Sequence, residues 1–400
     1  MGGVVMGLSC RRCSAQFVNI SQPWVGMLLL IMMWSASFGG GHLCVAQNLS
    51  QPGPGSSTLP AASFIFGDSL VDAGNNNYIG SLARANYGAN GVDFPGGKAT
   101  GRFCNGRTVA DIVGQLLGLP FAPVFLDPAA KGTAILKGVN FASGGAGILD
   151  FTGFNFVNRL PLWQQISMFK NTTSQIMQIL GPTAGAALIK NSIYSVTMGS
   201  NDYLNNYWVV GSPSPLLFTP QKFQSRIINT YRQQLTSLVN LGARKFILSN
   251  VGPLGCIPYR MTLESTVKGQ CVQPDNTLVS SFNTALRSLV DELNGRYPQT
   301  KFVLANSYNV VTQIISNPAA YGFSTKDQAC CGVPVGLYHG LTPCFPGVPF
   351  CKDRKFHLFW DPYHPTDAAN VIIGQRFFSG SLADIYPMNV QQLAALKLQG

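Results

Sequence analysis

At 400 residues the chain can hold one large domain or two ordinary ones, and its 46% hydrophobic and only 11% charged residues exclude a disordered protein. Its 27 Lys and Arg against 16 Asp and Glu give a net charge of +11. These basic residues are scattered singly, without blocks or interleaved aromatics, which argues against a nucleic-acid partner and for no more than weak retention on an acidic cell wall.

Residues 1–46 do not read as fold. Arg11 and Arg12 form a basic start, the apolar run Trp24–Trp34 follows, and Cys44-Val45-Ala46 suits cleavage before Gln47. That run falls short of the roughly 20 apolar residues a membrane span needs, and Gly39-Gly40-Gly41 follow it. The segment is therefore expected to be a signal peptide and the protein to be secreted, with no stable membrane insertion after cleavage. Asn48 and Asn171 stand in N-x-S/T sequons and are expected to carry glycan. Seven cysteines lie beyond the signal: Cys104, Cys256, Cys271, Cys330, Cys331, Cys344 and Cys351. In an oxidising compartment they allow three disulfides and one free thiol, with Cys256 and Cys271 a natural local pair. A zinc site built from these cysteines and His357 is the sharper alternative, but no C-x-x-C spacing supports it.

Residues 47–62 are a flexible polar lead-in, and 63–385 read as one domain followed by a tail at 386–400. Short apolar runs at Ser63–Phe66, Ile193–Met198, Lys245–Asn250 and Lys301–Ala305 predict buried strands. Between them lie helical periods. One is capped by Thr108, and another opens at Thr219-Pro220 and ends at Gly242. A third runs through Leu278, Phe282, Leu286, Leu289 and Leu293, and a last starts at Pro365. Strand-helix alternation of this kind predicts an α/β domain with a mainly parallel sheet covered on both faces.

Ligands of such sheets bind beyond the carboxyl ends of the strands, and polar or Gly-rich blocks stand at those ends. They are Gly67-Asp68-Ser69-Leu70, the stretch Gly138–Gly147, Gly199-Ser200-Asn201-Asp202 and, near the C-terminus, Asp361-Pro362-Tyr363-His364. A serine needs a neighbouring base to become a nucleophile. Of the three histidines beyond the signal, His364 has Asp361 three residues earlier, across a Pro-containing turn, to orient it. Asp68, Asp72 and Asp202 read as loop-bracing acids and are assigned no chemistry.

These four blocks, in this order, resemble the plant-type GDSL esterase/lipase family of the SGNH hydrolases, from about residue 63 to 385. The resemblance implies a three-layer, flavodoxin-like α/β/α sandwich. It also implies a Ser69, His364, Asp361 triad and an oxyanion hole from Ser69, Gly145 and Asn201, with Gly144 the alternative to Gly145. The implied activity is hydrolysis of carboxylic, lipid or acyl esters, with no cofactor and no metal. Two rivals remain: an acyltransferase using the same triad, as in cutin synthesis, and a catalytically silent cell-wall binding protein on this fold.

Overall fold

Residues 60–334 and 336–398 are described by a computed structural model. The expected signal peptide and the Asn48 sequon lie outside the described residues. The four apolar runs and the short segment Gly138–Asn140 form parallel strands: β1 (Ser63–Gly67), β2 (Gly138–Asn140), β3 (Ile193–Thr197), β4 (Lys245–Ser249) and β5 (Lys301–Ala305). A separate small sheet pairs β6 (Thr325–Ala329) with β7 (His357–Phe359). The last strand, β8 (Ile385–Tyr386), joins β5 antiparallel, so the main sheet runs β2-β1-β3-β4-β5-β8.

Side chains alternate across a strand with period two, and the register turns that alternation into a core. Phe64, Tyr194, Phe246 and Phe302 stand at matched positions of β1, β3, β4 and β5. Their rings form a ladder, with centroids 5.4, 5.4 and 4.4 Å apart. All four are fully buried. Helix α1 is Val109–Leu116, α2 Leu162–Leu180, α3 Pro182–Lys190 and α4 Pro220–Asn240. After α5 (Pro258–Glu264) come α6 (Gln273–Arg296), α7 (Ser307–Ser316), α8 (Asp367–Ser379) and α9 (Val390–Ala395). Phe169 of α2 packs on Phe64 and Phe66, and α4 and α6 continue that layer. On the other face α1, α7 and α9 gather around α8. The result is the expected three-layer sandwich.

Local chemistry explains the helix starts. Thr108 and Asp111 cap α1 reciprocally: the Thr108 hydroxyl accepts from Asp111 N at 3.2 Å, and Asp111 accepts from Thr108 N at 2.8 Å. Thr219 caps α4 ahead of Pro220. The last long helix begins at Asp367 rather than Pro365, because Pro365 pairs with Phe359 as a β-bridge and Thr366 takes the capping position. The expected tail at 386–400 is also corrected. Val390 and Leu393 are fully buried, and Lys245 Nζ donates to the Ala394 carbonyl at 2.9 Å, so residues through α9 close the core.

Disulfides join Cys256 to Cys271, Cys330 to Cys351 and Cys331 to Cys344, leaving Cys104 free and buried. Burial pushes the Cys104 thiol well up, away from a reactive thiolate. His357 Nδ1 lies 3.5 Å from Cys351 Sγ, but that sulfur is spent in its disulfide. Among the described residues no helix is long and apolar enough to cross a membrane.

Candidate active site

The strand order places β2 and β3 on opposite sides of β1. Chain connections therefore leave β1 and β3 in opposite directions, and a crevice opens where their carboxyl ends meet. Ser69 stands just beyond β1 and Asn201 just beyond β3, on the two walls of that crevice.

The turn carrying Ser69 is fixed from behind. A Cβ at Gly67 would lie 2.3 Å from Val71 Cγ2 and 2.8 Å from the Thr197 carbonyl, so only glycine lets β1 pass. Buried Gln165 of α2 clasps the same residue, accepting from Gly67 N and donating to Gly67 O, each at 2.9 Å. The Asp68 carbonyl then accepts from Val71 N at 3.2 Å and from Asp72 N at 3.0 Å, which closes the turn around Ser69.

His364 reaches this serine from the far end of the chain. Its Nε2 is 2.7 Å from Ser69 Oγ, and its Nδ1 is 2.8 Å from both carboxylate oxygens of Asp361. Asp361 Oδ1 also accepts from the backbone N–H groups of Tyr363 and His364, each at 2.8 Å. A carboxylate facing Nδ1 favours the tautomer that carries its proton there and turns the Nε2 lone pair toward the serine. The buried Trp360 holds the turn: its N–H donates to His364 O at 2.7 Å and its indole to Asn90 Oδ1 at 2.9 Å.

The two glycines of the second block separate cleanly. Gly144 N donates to Asp72 Oδ2 at 2.9 Å. Gly145 N and Ser69 N have no acceptor among the described residues. Gly145 has φ +81, and a Cβ there would lie 2.5 Å from the Phe156 ring, so a tight turn and a close approach both demand glycine. Asn201 donates one Nδ2 hydrogen to the Ala146 carbonyl at 3.0 Å, while its Oδ1 accepts from Asn205 Nδ2 at 2.6 Å. That pair fixes which way the amide points and leaves its second N–H unspent. Ser69, Gly145 and Asn201 all line one cavity of about 360 Å³.

Sequence reasoning missed Asn205 and Gln165. Asn205 had a signal, since it follows Asn201 by four residues, the spacing of one helical turn. Gln165 had none, because its partner is distant in sequence.

The three acids set aside earlier brace loops, as expected. Asp72 accepts from the N–H groups of Gly74, Asn75 and Gly144, and Asp202 from those of Ile148 and Leu149 and from the Thr152 hydroxyl. Burial pushes both up to about 6, against those hydrogen bonds. Asp68 is held by a single N–H, from Leu70, and its Oδ2 has no partner among the described residues. Burial there raises it furthest, to about 7. Asn171 is exposed on α2, and neither His339 nor His357 lines the cavity that holds Ser69.

The sequence profile of the GDSL-like lipase/acylhydrolase family matches residues 64–377, most of the chain. The protein belongs to this family. Membership makes it a carboxylic ester hydrolase. The GDSL chain is 45% identical over 340 residues to GDSL esterase/lipase At4g16230 of Arabidopsis thaliana, covering 84% of this chain and 92% of the relative. It is 48% identical over 338 residues to GDSL esterase/lipase At2g23540 of the same plant, covering 83% and 87%.

Proposed function

We propose that this protein is a secreted hydrolase that cleaves lipid or other acyl esters through an acyl-enzyme on Ser69. The observation that carries the reading is the unbroken chain from Ser69 Oγ through His364 to Asp361, with contacts of 2.7 and 2.8 Å. His364 takes the serine proton as Oγ attacks the ester carbonyl, and Asp361 stabilises the imidazolium. The carbonyl oxygen gains negative charge and meets the N–H groups of Ser69 and Gly145 and the free N–H of Asn201. His364 then returns its proton to the departing alcohol. Water, deprotonated by the same ring, releases the acid.

The cavity supports an apolar acyl group, since Leu204, Leu254, Ile257, Val311 and Phe377 contribute to its lining. Three disulfides support an oxidising compartment, and the exposed Asn171 is open to glycosylation. Cleavage before Gln47, followed by a lead-in to residue 62 and one hydrolase domain from residue 63, completes the proposed organisation.

The test is Ser69→Ala assayed against p-nitrophenyl esters of graded chain length. Turnover vanishes while circular dichroism is unchanged. Turnover within a few-fold of wild type in a folded variant would overturn the assignment.

A further inference from the structure

The cavity follows the carboxyl edge of the sheet and is lined from every parallel strand end. Gly145 lies beyond β2, Ser69 beyond β1, Asn201 beyond β3, Asn250 beyond β4 and Val311 beyond β5. Those strands stand in the order β2-β1-β3-β4-β5, so at about 4.8 Å per strand the edge is roughly 19 Å long. Ser69 sits near the β2 end. Beyond β4 and β5 the lining sets apolar Leu254, Ile257 and Val311 beside Ser249, Asn250 and Ser307.

The other end carries a charge. Arg84 is the one Arg or Lys lining the cavity, and no carboxylate lies within ion-pair distance of it among the described residues. Its Nη2 donates to the Ile79 carbonyl, which anchors the guanidinium. Its Nε is buried without a partner, and no acceptor takes Nη1 among the described residues. Of the two acids in the same lining, Asp361 is occupied by His364 and Asp68 is turned onto Leu70 N. The segment bearing Arg84 is fixed to the Gly144–Gly145 turn. Asn76 Nδ2 donates to the Ala83 carbonyl at 2.7 Å and to the Gly144 carbonyl at 2.9 Å, so Arg84 and Gly145 each follow a residue held by the same nitrogen. An uncompensated guanidinium in the wall of a mostly apolar cleft is a receptor for an oxyanion.

We propose that Arg84 binds a carboxylate or phosphate on the substrate, so that the preferred esters carry an apolar chain toward β5 and an anionic group toward β2. The ester part of this statement rests on the proposed Ser69 chemistry, whereas the anion subsite is measurable without it. The probes are 4-(decanoyloxy)benzoate, its neutral methyl ester, and 4-(decanoyloxy)phenyl phosphate. Each is titrated calorimetrically into the Ser69→Ala protein, where it stays intact.

The anionic probes are expected to bind about tenfold or more tighter than the methyl ester, the worth of one charge-assisted contact. Arg84→Gln in the same background brings that ratio close to one, and Arg84→Lys retains part of it. Whichever anionic probe binds tighter identifies the preferred oxyanion. Equal binding of charged and neutral probes, or a preference that survives in folded Arg84→Gln, overturns the subsite. Wild-type protein that binds the anionic probes by this pattern but cleaves none of them would overturn the hydrolytic reading and leave the subsite standing.

Discussion

Replacing Asn201 by alanine separates two roles that one side chain carries. The buried amide bonds to the Ala146 carbonyl at 3.0 Å and to Asn205 Nδ2 at 2.6 Å, so truncation orphans both partners. Leaving buried polar groups unpaired costs about 1–3 kcal/mol of stability. The second Nδ2 hydrogen has a different value. If it meets charge that exists only in the transition state, its loss lowers kcat by about 10²–10³, or roughly 2.7–4 kcal/mol, with KM little changed. Asn201→Ala is therefore expected to lose both melting temperature and turnover. Asn205→Ala is the control. It breaks the 2.6 Å bond and lowers stability similarly, but it leaves the Asn201 amide on Ala146 and costs less than about tenfold in kcat. Kinetics with a soluble short-chain ester, run well below both melting temperatures, give the two numbers. An Asn201→Ala protein with lowered melting temperature and undiminished kcat would remove Asn201 from the oxyanion site.

Asp361→Asn presents an amide to His364 Nδ1 and favours the wrong tautomer, so kcat should fall by about 10⁴ with the fold intact; near-normal turnover refutes the orienting role. Asp68 is raised to about 7 in the folded protein from an ordinary 3.8, so the native state binds more protons than the unfolded chain between those values. Its contribution is therefore full below about pH 4 and is lost as pH rises toward 7, at up to about 1.4 kcal/mol per pH unit. Melting temperature followed across that window should decline less steeply in Asp68→Asn, and parallel curves for the two proteins would contradict the shift. Intact mass before and after reduction and deglycosylation should show an N-terminus near Gln47, three disulfides with Cys104 as the free thiol, and glycan on Asn171; seven free thiols without glycan would contradict secretion.

The parts of the fold that were legible are those fixed by local chemistry. Buried parallel strands must be apolar along their whole length, and four such runs located β1, β3, β4 and β5 to within a residue. Thr108 and Thr219 announced their helices because a cap is a short-range hydrogen bond. The small β6–β7 sheet was not visible. The β6 residues Thr325-Lys-Asp-Gln-Ala329 carry no apolar run, and disulfides at Cys330 and Cys331 pin the chain there directly afterwards. Helix α9 was missed for a related reason, since Val390, Leu393 and Ala394 make too short a stripe to stand out until β8 brings them onto the core.

Residue type singled out the side chains that the fold brings together at Ser69, but only their partners distinguish one aspartate from another. Asp361 accepts from three N–H groups: His364 Nδ1 and the backbones of Tyr363 and His364. Such a carboxylate is well placed to balance an imidazolium. Asp68, one residue before Ser69, accepts from one N–H and keeps an oxygen without a partner among the described residues. Burial then favours its protonated form up to about 7, which spares Ser69 and His364 a second adjacent anion. Asp72 and Asp202 each accept from three donors, are raised less than Asp68, and spend their oxygens holding loop backbone that includes Gly144 and Ile148. Four aspartates that look alike in sequence thus meet different partners: Asp361 faces the His364 imidazole, Asp72 and Asp202 hold loop backbone, and Asp68 is left with one donor.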